Sequence, residues 1–270
     1  MTQRFQQRPD SPRRAIALLM GGLLAGLSPL AFSESCTIHS GAERAMLIEL
    51  YTSEGCSSCP PAERWLSGFV GKTATASAVI PLAFHVDYWD YIGWRDRFAS
   101  PKFTTRQYER TNRNLGHFAY TPQTLINGLD SSIWRQARAP GDLAPFTTVA
   151  SGADLALRVE TGASGRIAVE LETKLRQGGN TDRAVAYLAL YENGLISNVR
   201  AGENAGRQLR HDFVVRDWVG PFPLGEIPGT KINFTFTPKD IVPENAGVAA
   251  LVEVADGSRI LQAVAQPLCR

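Results

Sequence analysis

Cys56 and Cys59, separated by Ser57 and Ser58, are the residues whose type and spacing bear most directly on chemistry. Two cysteines so placed form a dithiol that closes into a small disulfide. The thiolate is the species that attacks disulfides, and a cysteine at a helix N-terminus meets the positive end of the macrodipole, which favours thiolate over thiol. An apolar run of strand length (45–51) precedes the pair, and 60–66 reads as the start of a helix. Thiol–disulfide exchange is therefore the leading chemistry, with Cys56 as the attacking, more exposed sulfur and Cys59 as the resolving one. Pro60 and Pro61 fit a helix that starts near Ser58, where their missing N–H groups lose no helical bond.

Other uses of such a pair compete. A zinc site needs about four ligands, commonly two Cys-x-x-Cys pairs or histidines at short spacing. Here there is one such pair, and His39, His85, His117 and His211 are scattered. Thiolates are soft enough for copper, with His85 or His117 as a distant third ligand; each also reads as an ordinary loop or core histidine. A purely structural bridge across so short a loop constrains the unfolded chain little. No cofactor and no metal ligand set is assigned.

The positions that must hold this dithiol lie beyond an atypical N-terminus. Arg4, Arg8, Arg13 and Arg14 precede an apolar run over 15–27, and Ala31-Phe32-Ser33 offers small residues for cleavage. This is the layout of a signal peptide over 1–33, and the run falls short of the roughly 20 apolar residues that a membrane span needs. The expectation is an exported chain, periplasmic or secreted, with no stable membrane insertion after cleavage. Of the 28 basic and 26 acidic residues, four and one fall in that leader, which leaves 24 against 25 and a charge of −1. No basic patch points to nucleic acid. Four cysteines remain after cleavage and allow three connectivities; with Cys56–Cys59 as the redox pair, Cys36 and Cys269 would staple the two ends if these are neighbours.

Downstream of the dithiol, 78–86 reads as a second strand and 61–70 as the helix between, so the β-α-β order implies a mostly parallel sheet with helices on its faces. The segment 85–96 carries Tyr88, Trp89, Tyr91 and Trp94, either a packed loop or a wall over the dithiol. Ser100-Pro101 starts a helix to Arg113, with Arg106, Arg110 and Arg113 as a solvated face. Thr121-Pro122 leads into a short strand over 123–126 and an Asn127-Gly128 hairpin turn. Residues 130–132 then cap a helix through Ile133, Trp134 and Ala137. Past Pro140-Gly141 the texture changes to short alternating strands at 155–160, 166–173, 184–191, 209–215, 231–237, 248–254 and 259–265, the pattern of an antiparallel sandwich. The polar, glycine-rich 202–207 reads as a loop that either touches the dithiol region or simply connects strands.

The succession of strand, Cys-x-x-Cys, helix, strand, helical insertion, Thr-Pro, Asn-Gly hairpin and helix resembles the thioredoxin superfamily. More narrowly, Glu49–Pro61, His85–Asp90 and Gly202–Arg207 resemble a family of exported thioredoxin-like proteins known as domain of unknown function 1223, which has no established reaction. The resemblance implies an α/β thioredoxin-like domain (34–145), and the strand pattern puts an all-β antiparallel sandwich domain (146–270) after it. It implies that Pro122 is cis and presents the Thr121 backbone to an incoming peptide. It also implies that Glu49 is a buried carboxylate with a raised pKa that shuttles the resolving cysteine's proton, while the residue by itself reads equally as a strand-edge glutamate facing water. The expected function is a thiol–disulfide oxidoreductase whose partners are protein thiols or disulfides. The alternative is a non-catalytic binding module or a copper or zinc carrier.

Overall fold

The computed structural model describes residues 1–2, 34–71, 79–113, 118–136, 143, 149–162, 165–176, 183–225 and 229–269. The expected leader over 1–33, His117 and Ala137 lie outside the described residues, apart from the first two positions. The described residues from 34 to 269 belong to one compact unit.

Its main element is an eight-stranded mixed sheet built from both halves of the chain. From one edge to the other run β14 (Ile260–Pro267), β13 (Ala246–Val254), β8 (Ala184–Glu192), β11 (Val214–Pro223), β3 (Val79–His85), β2 (Met46–Thr52), β4 (Gln123–Ile126) and β5 (Leu129–Asp130). Only β2–β3 and β3–β11 pair in parallel; the other ladders are antiparallel. A second, antiparallel sheet holds β1 (Glu34–His39), β6 (Ala153–Thr161), β7 (Ile167–Leu175) and β12 (Thr230–Phe236). A hairpin of β9 (Leu195–Asn198) and β10 (Gln208–His211) stands apart. The α-helices of the described residues are α1 (Pro60–Ser67) and α2 (Pro101–Arg113).

This corrects the expected fold class of an α/β thioredoxin-like domain followed by a separate all-β sandwich. Strand dominates, helices are few, and one sheet runs through what was read as two architectures. The physical reason lies at the free edge of β3, whose backbone groups need partners. They find them in the second half: β11 pairs at Val214↔Ala83, and Ala83 N–H donates to Phe213 O at 2.8 Å. Two smaller expectations also change. The helix through Ile133 and Trp134 is a single 3-10 turn, Ile133–Arg135, and the strand at 209–215 is divided between β10 and β11.

The sandwich-like part of the expectation holds in altered form, because the four-stranded sheet packs on one face of the large one. Leu155, Leu157, Val159, Val169 and Leu171 meet Leu188, Leu190, Val248, Ala250 and Val252 there. The alternate residues of the same strands, Ala189, Tyr191, Ala249 and Leu251, face the other side with Leu66 of α1 and Phe103 of α2. This period-two division is why β8 and β13 read as continuous apolar runs: both of their faces are buried. Each Leu or Val so buried contributes roughly 1.5–3 kcal/mol.

Cys36 of β1 is bridged to Cys269, which follows β14, with 5.8 Å between their Cα atoms. The bridge spans 233 positions of sequence and ties the described ends together. Replacing both cysteines by serine is expected to lower unfolding stability by ~2–5 kcal/mol through the freed unfolded chain. Urea denaturation midpoints without reductant measure this; an unchanged midpoint would show that the bridge adds nothing.

Candidate functional site

The dithiol sits where β2 hands over to α1. Cys59 is the N-cap of α1 and Pro60 and Pro61 occupy its first two positions, so neither proline forfeits a helical bond. Cys56 and Cys59 are joined in a disulfide with 5.5 Å between Cα atoms. Cys56 N–H donates to Ser53 O and Cys59 N–H to Cys56 O, which coils the loop back on itself. Ser58 Oγ lies 3.2 Å from Cys56 Sγ and 3.5 Å from the carbonyl oxygen of Thr121, whose bond to Pro122 is cis. The motif and the Thr121–Pro122 turn are therefore neighbours through Ser58.

Cys56 was expected to be the exposed sulfur, and here the structure differs. Both cysteines are 0% exposed, and the exposed members of the motif are Ser57 and Ser58. The loop that carries them is held from far along the chain. Asn204 Nδ2 donates to the carbonyls of Glu54 and Cys56, each at 2.9 Å. Glu203 accepts from Ser57 N–H at 2.9 Å and from Ser57 Oγ at 2.8 Å. Ile92, in the aromatic-rich 85–96 segment, is wedged between Gly55 and Gly202; a Cβ on either glycine would come within 3.0 Å or less of its Cδ1. Trp94 Nε1–H donates to Glu54 at 2.7 Å. Both segments left open by the sequence thus converge on 54–57.

Next to this motif in the chain lies a buried set of ionisable groups. Glu63 follows Cys59 by one turn of α1, and its carboxylate accepts from Thr52 Oγ1 at 2.5 Å and from His211 Nδ1 at 2.9 Å. His211 Nε2 faces Glu54 Oε1 at 3.3 Å. His85 Nδ1 bonds Asp96 at 2.7 Å, and the two imidazoles meet edge to face with centroids 5.1 Å apart. Burial pulls the His211 pKa down, but the Glu63 carboxylate, with Glu54, more than offsets this and pushes it up to about 10. Burial likewise raises Glu63, and His211 outweighs it and holds the carboxyl below its ordinary value. Among the described residues, Glu63, His85 and His211 gather donor atoms closely enough for a metal ion, and neither cysteine belongs to that group.

Glu49 is buried, as the resemblance implied, but its pKa moves the opposite way. Burial raises it, and Arg106 and Arg110 more than reverse this, so the carboxyl lies below its ordinary value. Arg106 Nε donates to Glu49 at 2.7 Å, and Arg110 Nε is 3.6 Å away. Both arginines also pair with Glu253 of β13, and Arg106 lies 4.3 Å from the Trp218 ring centroid. The expected solvated arginine face is corrected for these two, which are buried; Arg113 alone is exposed. The acidic partners beneath α2 override the default of charge toward water.

A model of the family described as a protein of unknown function, DUF1223, matches residues 47–253. The chain belongs to the DUF1223 family. No curated protein matches it. Among solved structures, protein AGR_C_4864 from Agrobacterium tumefaciens is similar at 24% identity and a TM-score of 0.51, covering 83% of this chain and 95% of that one. HBP35 of Porphyromonas gingivalis is similar at 14% identity and a TM-score of 0.62, covering 85% of this chain and 76% of that one. At these identities the likeness bears on the fold alone.

Sequence reasoning on this DUF1223 chain passed over Glu54, Glu63, Asp96, Asn204, Glu203 and His211 as site residues. For Glu63 a signal existed, since a residue four after Cys59 on a helix shares its face. Glu54 stands within the motif phrase, Asp96 lies eleven positions from its partner His85, and Glu203 and Asn204 fall in the 202–207 loop; only His211, 148 positions from Glu63, carries no local signal.

The Glu49 geometry gives a signed prediction. Glu49→Gln removes one partner of a buried ion pair and is expected to cost ~3–5 kcal/mol near neutral pH. A depressed folded pKa contributes stability above the unfolded value of about 4.3, and that contribution is lost as pH falls through the folded pKa. The gap between wild type and variant should therefore narrow in acid, as read from denaturation at a series of pH values. A gap that widens on acidification contradicts the assignment.

Proposed function

We propose that this protein is a thiol–disulfide oxidoreductase acting on protein thiols or disulfides through Cys56 and Cys59. The observation that carries the reading is a closed Cys-x-x-Cys bridge at the N-cap of α1, with Ser58 linking Cys56 to the Thr121 carbonyl. In the oxidising direction a substrate thiolate attacks Cys56 Sγ, the Cys56–Cys59 bond breaks, and Cys59 departs as thiolate. A second substrate thiolate then attacks the substrate sulfur of the mixed disulfide and releases Cys56. The substrate loses two electrons and the dithiol gains them; reduction of a substrate runs the same steps backward. An exported location, periplasmic or secreted, belongs to the same proposal. Two bridges, Cys36–Cys269 and Cys56–Cys59, suit an oxidising compartment, as does the leader-like layout of 1–33.

Full burial of both sulfurs favours a second reading, a structural bridge. The two make opposite predictions. Titration of the folded protein in thiol–disulfide buffers should give a reversible two-electron transition at Cys56–Cys59 if exchange is the function. Reduction that proceeds only with unfolding would establish the structural bridge instead. Asn204→Ala removes two hydrogen bonds that hold the loop carrying Cys56, about 2 kcal/mol together, so reduction of the bridge by dithiothreitol through local opening should speed up roughly tenfold to thirtyfold.

Cys59→Ala leaves Cys56 without its resolving partner and is expected to accumulate mixed disulfides with client proteins, recoverable on non-reducing gels. Cys56→Ala should trap few. If neither variant traps a partner, or if Cys59 is the trapping sulfur, the assigned roles are wrong.

A further inference from the structure

His85 closes β3, His211 closes β10, and Glu63 stands in α1, so three elements remote in sequence deliver these side chains to one interior point. One donor atom from each lies within 4.8 Å of the other two, and all three residues are buried. We infer that Glu63, His85 and His211 form a binding site for one divalent first-row transition-metal ion, with zinc as the representative ion.

The state of His85 is the first support. Its Nδ1 is 2.7 Å from Asp96 Oδ2, and the Asp96 carboxylate also accepts from Glu54 N–H at 2.8 Å and Phe98 N–H at 2.9 Å. A carboxylate so held accepts the imidazole proton on Nδ1, which leaves the lone pair on Nε2. That nitrogen is buried, in a side chain with 0% exposure, and makes no hydrogen bond among the described residues. A buried acceptor left so costs about 1–3 kcal/mol, and a metal ion is a partner it suits.

His211 is the second ring, hydrogen-bonded to Glu63 itself. Its Nε2 turns to Glu54 at 3.3 Å and its Nδ1 to Glu63 at 2.9 Å. Each ring has an outlying carboxylate beside it, Asp96 hydrogen-bonded to His85 Nδ1 and Glu54 lying 3.3 Å from His211 Nε2 without a hydrogen bond. Carboxylates in that outer position orient metal-bound histidines and fix which nitrogen coordinates.

Charge supplies the third support. Glu54, Glu63 and Asp96 bring three carboxylates into the interior, and among the described residues the ion partners of these three are the two histidines. A divalent cation between two neutral rings brings the cluster to one net negative charge, against two if a single imidazolium is the only cation. Two imidazoles and one carboxylate suit zinc and its first-row neighbours, and are poor ligands for calcium or magnesium. On binding, the ion takes the place of the His211 Nδ1 proton, which is released to solvent; no electron moves. The inference does not rest on exchange at Cys56–Cys59, because the thiolates take no part.

The test uses the whole protein with its bridges closed, stripped by chelator and titrated with zinc chloride by calorimetry and with cobalt chloride by visible absorption. One equivalent should bind, and the cobalt form should show ligand-field bands of low-coordinate nitrogen and oxygen ligation without thiolate charge-transfer absorption. His85→Ala should abolish uptake. Asp96→Asn, which keeps the three ligands but alters the outer hydrogen bond, should weaken it roughly 10–100-fold. The double variant Cys56→Ser, Cys59→Ser should bind as tightly as wild type. If His85→Ala does not fold, as judged by circular dichroism, the wild-type cobalt spectrum and Asp96→Asn carry the decision. No uptake by wild type, uptake unchanged by His85→Ala or Asp96→Asn, or thiolate bands that vanish in the cysteine variant would each overturn the site.

Discussion

β3 runs parallel to β2 on one side and to β11 on the other, and this double engagement is the constraint on which the rest depends. Ladder contact on the β11 side is brief, a single register pair and the Ala83–Phe213 hydrogen bond. Its consequences are long-range. The segment just ahead of β11 is the β9–β10 hairpin with its 199–207 connection, so docking β11 beside β3 delivers Asn204, Glu203 and His211 to 54–63. Between β10 and β11 the chain turns at Phe213 with φ 57°, a left-handed conformation that a bulky residue rarely adopts. Asn193 Oδ1 accepts its N–H at 2.8 Å, which helps to hold the turn.

Two buried charge clusters then fix how the layers meet. Glu49, Arg106, Arg110 and Glu253 join β2, α2 and β13 through buried ion pairs. Removing one member leaves a charge stranded in a medium that cannot solvate it, which is why such clusters hold one arrangement even where they add little net stability. Glu54, Glu63, His85, Asp96 and His211 form the other cluster around imidazoles, whose protons can be exchanged or replaced. The first is built to stay as it is. The second is adjustable, and it lies beside the dithiol segment in the chain.

Local features of the chain were legible. Ser100-Pro101 starts α2, and the structure carries it to Arg113. The Asn127-Gly128 pair makes the β4–β5 turn with both residues at positive φ. Most strand runs of the second half lie within a residue or two of their expected places, but β9 was not expected, and the run at 209–215 divides near Phe213 and continues in β11 to Pro223. Architecture was not legible, because the partner of a free β3 edge depends on contacts more than a hundred residues apart. β1 escaped notice because its residues alternate between exposed and half-buried and carry no apolar face strong enough to register. Arg106 and Arg110 were read outward because nothing near them in sequence announces Glu49 or Glu253. The histidines appeared scattered for the same reason, and folding brings two of them into ring contact.

The bridge between Cys36 and Cys269 has a topological consequence. With the two described ends locked together, everything between them is a closed covalent circuit, threaded through both sheets. A protease that cuts any exposed turn inside the circuit makes new termini but no second fragment, and the severed strands stay tethered close enough to re-pair. Breakdown of the molecule therefore needs two separate injuries, a second cut or an encounter with reductant.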